Sequence, residues 1–196
     1  GHCEAKVAVL EDRDMLKRWQ DIRDDLPALR HVVLLDGAEE ADTPGVLGWD
    51  ELVRRGREAL AADRPGFEEL RGRVVPEDNA ALLYTSGTTG PPKGVLLTHH
   101  NLLFESTALD RLTGLSPEGS SVSYLPLAHI AERVLSIYGP LTMRTHVWFC
   151  PEPAQAVEYV REARPTIFFG VPRVWEKVRA GINAKLAGEE NERKRE

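Results

Sequence analysis

The sequence predicts an α/β fold, with parallel-rich sheets and helices packed on them. Short apolar runs recur along the chain, and the segments between them carry apolar residues at helical rather than alternating spacing. The connections are also long enough to return the chain to the same end of a sheet, as a parallel pairing requires. From Ser121 onward strand-like and helix-like segments alternate without interruption, the rhythm of a parallel layer built by right-handed crossovers.

Taken in order, "KVAVL" (residues 6–10) reads as a short buried strand. A charged helical stretch follows over about 13–24, with Met15, Leu16, Trp19 and Ile22 at helical spacing. "HVVLLD" (31–36) is a second strand that stops at Gly37, so the opening is a β-α-β unit. After the polar connection "GAEEADTPG", residues 49–62 form a helix with Leu52, Val53 and Leu60 as its apolar contacts. Residues 64–79, punctuated by Pro65, Gly66, Gly72 and Pro76, read mostly as a linker. The boundary is placed there, giving a β-α-β region at 1–75, a second subdomain at 76–187 and a frayed charged tail at 188–196.

In the second part "AALLY" and "GVLLT" are strands flanking a polar loop, and Thr98 is placed to cap a helix over about 100–112. The series then runs strand "SVSYL", helix 130–138, strand "HVWFC", helix 153–163, strand "TIFFG" and helix 172–186. No internal repeat or low-complexity segment interrupts it.

Bulk properties narrow the function classes. The 196 residues are 42% hydrophobic and 29% charged, an ordinary globular composition with a sizeable core. The longest apolar runs fall far short of the roughly 20 residues of a spanning helix, and no signal pattern opens the chain. Cytoplasmic residence is the default. A net charge of -6 with no basic face argues against nucleic acid as a partner, so an anionic ligand must be held locally. Cys3 and Cys150 lie in no metal-like spacing and are read as small apolar fillers in a reducing compartment.

The loop "YTSGTTGPPKG", residues 84–94, is rich in glycine and hydroxyls and carries one lysine. That is the composition for gripping phosphate oxygens: glycines let backbone N–H groups converge on an anion, and hydroxyls add donors. Each such bond contributes roughly 1.5–3 kcal/mol, so a few can hold a polyphosphate despite the acidic balance. Lys93 supplies the fixed charge. The spacing does not fit G-x-x-x-x-G-K-[ST], because Pro92 stands where the second glycine is required.

The string "YTSGTTGPPKGVLLTHHN" resembles the phosphate-loop signature of the adenylate-forming (AMP-binding) enzymes, the superfamily of acyl-CoA synthetases, luciferases and peptide-synthetase adenylation domains. "LPLAHIAERV" (125–134) and "FFGVPRVWEKV" (168–178) are similar to the long-chain fatty acyl-CoA synthetase branch in particular, as is the stretch 5–56. The fold this implies is part of the N-terminal domain of such an enzyme, with 76–187 as its AMP-binding subdomain. The activity implied is a long-chain fatty acid–CoA ligase: ATP, fatty acid and coenzyme A give acyl-CoA, AMP and pyrophosphate, with Mg²⁺ on the phosphates.

By residue, the resemblance implies that Ser86, Gly87, Thr88, Thr89, Gly90 and Lys93 hold the ATP phosphates and that Thr85 lies near the magnesium. His129 matches a position at the junction of the acyl and nucleotide sites. A histidine at a helix start is equally a satisfied structural residue, and both readings stay open. Glu132 and Arg133 are read as an exposed pair or a helix-anchoring salt bridge, Trp175 and Val178 as core packing, and His99 and His100 as unmarked for metal.

Several family segments have no match here: the aromatic-Gly-x-Thr-Glu run with its magnesium glutamate, the ribose aspartate, the hinge arginine and the lysine of a mobile C-terminal domain. The chain also opens on Gly1 and closes on "GEENERKRE". The expectation is therefore a fragment, inactive alone, whose further partner is the C-terminal portion of the same enzyme. Peripheral membrane contact through the acyl substrate is left open. Two other classes remain as alternatives, a standalone nucleotide- or polyphosphate-binding module and a non-catalytic remnant.

Overall fold

Alternation opens the chain: in β1 (Val7–Leu10) Ala8 and Leu10 are buried while Val7 and Val9 are half exposed. The computed structural model describes residues 2–37, 44–85, 90–114 and 118–188, and the chain divides into two units, Gly1–Val74 and Val75–Glu196. In the first unit α1 (Arg13–Gln20) starts where Asp12 Oδ1 accepts the Met15 N–H at 2.8 Å. Lys17 and Arg18 in its last turn suit the negative end of the helix dipole. The helix turns Leu16 and Trp19 onto the sheet.

β2 (His31–Leu34) pairs parallel with β1 from Val7↔His31 to Leu10↔Leu34, so the β-α-β reading of the sequence holds. A short third strand, β3 (Val46–Gly48), joins parallel to β2 and completes the order β1-β2-β3. Val33 and Leu34 are fully buried, each stabilising the unit by about 1.5–3 kcal/mol. α2 (Trp49–Ala62) follows at the predicted bounds, although none of its residues is buried. Its solvent face is laced by ion pairs, and the Arg54 and Arg55 guanidiniums bring the Glu51 carboxyl down to about 2.

The presumed linker is in large part a helix. Asp63 caps α3 (Arg64–Gly72) by accepting the Gly66 N–H at 2.9 Å, and Pro65 sits in the first turn, where a missing N–H costs nothing. The proline and glycine that suggested a break are thus the marks of a start.

The second unit begins with a hairpin. β4 (Asn79–Thr85) and β5 (Lys93–Thr98) pair antiparallel, ending at Tyr84↔Gly94 and Thr85↔Lys93. Thr98 then caps α4 (His99–Thr113) in a reciprocal box: its Oγ1 accepts the Asn101 N–H at 3.2 Å, and Asn101 Oδ1 accepts the Thr98 N–H at 3.0 Å. Gly114 ends α4 in the left-handed conformation at φ 59°.

β6 (Ser120–Ser123) and β7 (His146–Phe149) form a separate parallel pair. Between them α5 (Ile130–Arg133) runs through a π turn, Val134–Tyr138, into α6 (Gly139–Met143). The Gly139 N–H donates to the Val134 carbonyl five residues back. α4 packs on this composite helix. α7 (Ala156–Ala163) packs on the other side chains of β6, where Val122, Tyr124, Cys150 and Ala156 form the core, and α8 (Pro172–Gly188) follows.

Three expectations are corrected. "TIFFG" is not a strand: among the described residues it bonds to β6 only at Ser120, whose carbonyl accepts the Ile167 N–H at 3.1 Å and whose N–H donates to Thr166 Oγ1 at 2.7 Å, while side chains take its later carbonyls, Tyr124 Oη donating to Phe169 at 3.2 Å and Trp175 Nε1 to Gly170 at 2.8 Å. Trp175 is half exposed rather than core. Of the two cysteines Cys150 is buried, and burial pushes its thiol pKa up, while Cys3 is exposed.

The π turn yields a test. A Cβ at Gly139 would lie 2.7 Å from the Val134 carbonyl oxygen and 2.8 Å from Met143 Cε. Gly139→Ala should destabilise the chain by about 1–3 kcal/mol, read as a lower urea midpoint. Gly181→Ala on α8, where a Cβ meets nothing within 4 Å, should not destabilise it.

Candidate functional site

Of the residues singled out in the loop, Thr85, Gly90 and Lys93 are described, while Ser86, Gly87, Thr88 and Thr89 lie outside the described residues. The hairpin ladder sets Thr85 directly across from Lys93, so the two strands close the base of the loop between them. Thr85 Oγ1 faces the Lys93 carbonyl at 3.5 Å, too long to hold the hydroxyl firmly. Lys93 is exposed, and no described carboxylate pairs with it. Gly90 has φ +103°, a conformation that favours glycine.

His129 stands at the entry of α5, 44 residues after Thr85 in sequence, yet both line one cavity of about 420 Å³ together with Tyr84, Val95 and Ala128. Its backbone N–H donates to the Pro126 carbonyl at 3.0 Å, and its carbonyl accepts the Arg133 N–H at 3.3 Å. The imidazole is exposed at the cavity rather than consumed in a core contact.

A second, apolar cavity of about 660 Å³ adjoins it, sharing Leu97 and Ile130. Leu102, Phe104 and Leu109 of α4 form one side, with Val134 and Leu135 of the π turn and Phe169 opposite. Asn101 and Glu105 are its polar lining residues. The polar groups of Tyr84, Thr85 and His129 at one cavity thus lie beside a chamber that is almost wholly apolar.

Glu132 was misread. It is 2% exposed, with Oε1 accepting from Ser136 Oγ and Oε2 accepting the Leu125 N–H. Arg133 makes no pair with it and instead donates from Nε to the Leu127 carbonyl at 3.0 Å. The i, i+4 spacing of Glu132 and Ser136 was a legible signal for a helix-internal bond. Among the described residues no group of three or more His, Cys, Asp or Glu side chains could hold a metal, and His99 and His100 belong to none. Nor is any described helix long and apolar enough to cross a membrane.

The fold is that of part of an adenylate-forming N-terminal domain. The AMP-binding enzyme family matches residues 1–195, and the chain belongs to that family. Among its relatives, fadD11 of Mycobacterium tuberculosis, provisionally named a fatty-acid–CoA ligase, is 41% identical over 153 residues, covering 78% of this chain and 26% of the relative. The long-chain-fatty-acid–CoA ligase heimdall of Drosophila melanogaster is 34% identical over 192 residues, covering 94% and 28% respectively. The chain thus spans about a quarter of the length of the curated relatives it matches.

Solved structures agree on the fold. The anthranilate CoA ligase AuaEII with anthranoyl-AMP superposes at TM-score 0.64, with 21% identity over 86% of this chain and 31% of its own. ATP-bound MatB from Rhodopseudomonas palustris superposes at 0.59, with 24% identity over 89% and 31%.

The positive φ of Gly90 makes the hairpin testable without a ligand. Gly90→Val should cost about 1–3 kcal/mol of local stability through backbone strain, since among the described residues a Cβ there meets no atom within 4 Å. Faster amide exchange at Tyr84 and Gly94, with unchanged exchange in β6, is the expected pattern.

Proposed function

We propose that this chain is the phosphate-binding part of a long-chain fatty acid–CoA ligase, with residues 76–187 as its AMP-binding subdomain. The observation that carries the reading is the meeting of Thr85 and His129 at one cavity, next to an apolar chamber large enough to be occupied by an alkyl chain. Supporting it, the relatives that match across most of this chain are named as fatty-acid–CoA ligases.

In this reading the loop 86–90 and Lys93 grip the phosphates of ATP, and the fatty acid lies with its carboxylate near His129 and its tail among Leu102, Phe104, Leu109 and Leu135. The carboxylate attacks the α-phosphate and pyrophosphate leaves, turning a poor acyl donor into an acyl-adenylate. The thiol of coenzyme A then attacks the acyl carbon and AMP leaves. Donors fixed around the phosphates lower the cost of the charge that builds up there. His129 orients the carboxylate, and the surrounding apolar wall limits water at the reacting carbon.

For Mg²⁺ the donor set fits only in part. Thr85 Oγ1 can supply one neutral oxygen, and magnesium commonly takes its other ligands from phosphates and water. Bound there, the ion would neutralise phosphate charge. The glutamate that the family uses for the ion has no match in this sequence.

The test is pyrophosphate release from ATP and palmitate with magnesium, by the 196-residue chain and by a polypeptide carrying it together with the family segments it lacks. Release by the longer form alone supports the proposal. Release by neither, with ATP still bound, would support a nucleotide-binding module instead. In the active form Lys93→Ala should lower kcat/KM for ATP by about 10- to 160-fold, the kinetic equivalent of a lost charge-assisted hydrogen bond of roughly 1.5–3 kcal/mol. Unchanged kinetics would sink the assignment of Lys93.

A further inference from the structure

Resting on the ligase reading above, we infer that Glu132 is a positioning residue: its buried carboxylate clamps the turn from Leu125 to Ala128 and so sets His129 at the cavity shared with Thr85. Glu132 lines neither cavity, so it acts through the backbone rather than on a bound molecule. Its Oε2 takes the Leu125 N–H at 3.3 Å, at the point where the chain leaves β6, and its Oε1 takes the Ser136 hydroxyl inside the π turn. One side chain thereby ties the start of the turn to the helix that ends it.

Arg133 adds a second tie from the same helical turn, through Nε to the Leu127 carbonyl. With the His129 N–H on the Pro126 carbonyl, the segment carrying His129 is fixed at three points, two of them from side chains of α5. A carboxylate at 2% exposure is costly to bury, and its acceptors here are matched to a hydroxyl and a backbone N–H. An apolar residue of similar size would fill the volume without that cost, but would leave the Leu125 N–H without this acceptor. The carboxylate is therefore tied to the geometry of the turn rather than to the packing of the core.

Two variants separate these roles. Glu132→Gln keeps the clamp, since its amide oxygen can accept the Leu125 N–H while its amide N–H donates to Ser136 Oγ. Glu132→Met keeps the approximate volume and removes both acceptors. In the 196-residue chain, amide exchange at Leu125 and His129 should accelerate about tenfold or more in the Met variant and stay within about twofold in the Gln variant, as expected for one lost hydrogen bond. Wild-type exchange in Glu132→Met, or equal acceleration in both variants, overturns the clamp. Should the Met variant not fold, Ser136→Ala decides, because it loosens the carboxylate alone: faster Leu125 exchange supports the clamp and unchanged exchange overturns it.

In the ligase-competent polypeptide Glu132→Met should raise KM for fatty acid and lower kcat, each by about fivefold to tenfold, with KM for ATP within about twofold and Glu132→Gln restoring both. On a His129→Ala background the Met substitution should add nothing further, the sign of two residues acting as one. Additive losses there, or an unaltered fatty acid KM in Glu132→Met, would overturn the positioning role. An inactive wild type would count against the ligase reading, and the exchange arm would still decide the clamp.

Discussion

The antiparallel ladder between β4 and β5 is the constraint on which the site depends. Its register puts Thr85 across from Lys93, so the spacing of the two strands sets the distance between the ends of the loop. Gly94 leaves room for the side chains across from it: a Cβ there would come within 3.0 Å of Leu82 Cδ1 and 3.4 Å of the Tyr84 ring, so Leu82 would have to shift. The other end of the ladder is as consequential. Thr98 is both the last residue of β5 and the cap of α4, so the direction of the strand dictates where α4 begins and which of its side chains reach the apolar cavity.

Polar burial marks a second layer of organisation. Ser106 sits inside α4 with no exposure, its hydroxyl returned to the Leu102 carbonyl, and so adds no directional demand on its neighbours. Glu132 differs, because one of its oxygens reaches out of the helix to the Leu125 N–H in the turn before it while Ser136 holds the other. Burial raises the Tyr124 phenol pKa, and its hydroxyl donates to Phe169, while the Tyr124 and Phe168 rings stack at 5.5 Å. These contacts fix the segment 166–170 without a strand, and Phe169 of that segment forms part of the apolar cavity.

Much of this was legible in the sequence, and the failures share a cause. The bounds of α2, the cap at Thr98, the β-α-β opening and the parallel β6–β7 pair follow from local pattern, which the backbone obeys, although α2 buries none of its residues and Leu60 is exposed. The loop at 84–94 stands out as a string, yet nothing in a string states that residue 129 returns to residue 85; that is a property of how α5 packs beside the hairpin. The missed α3 turned on Pro65, whose meaning depends on whether an acceptor such as Asp63 stands two residues before it. "TIFFG" has the composition of a strand, but two of its carbonyls are claimed by side chains, the Tyr124 hydroxyl from 45 residues before and the Trp175 indole from five residues after. Glu132 was misjudged for the same reason, since its partner Leu125 lies on the preceding strand exit.

The π turn at Val134–Tyr138 has a consequence for how this protein is compared with others. A turn closed by a bond five residues back holds one residue more than the α-turn it replaces. A homologue whose helix stays regular there matches this chain in space only after a one-residue gap is opened between His129 and Gly139. Alignment by letters alone would carry every position on one side of the turn about 100° around the helix axis. A residue equivalent to one lining the cavity would then be assigned to a neighbouring face, and substitution patterns read from such an alignment would describe the wrong surface.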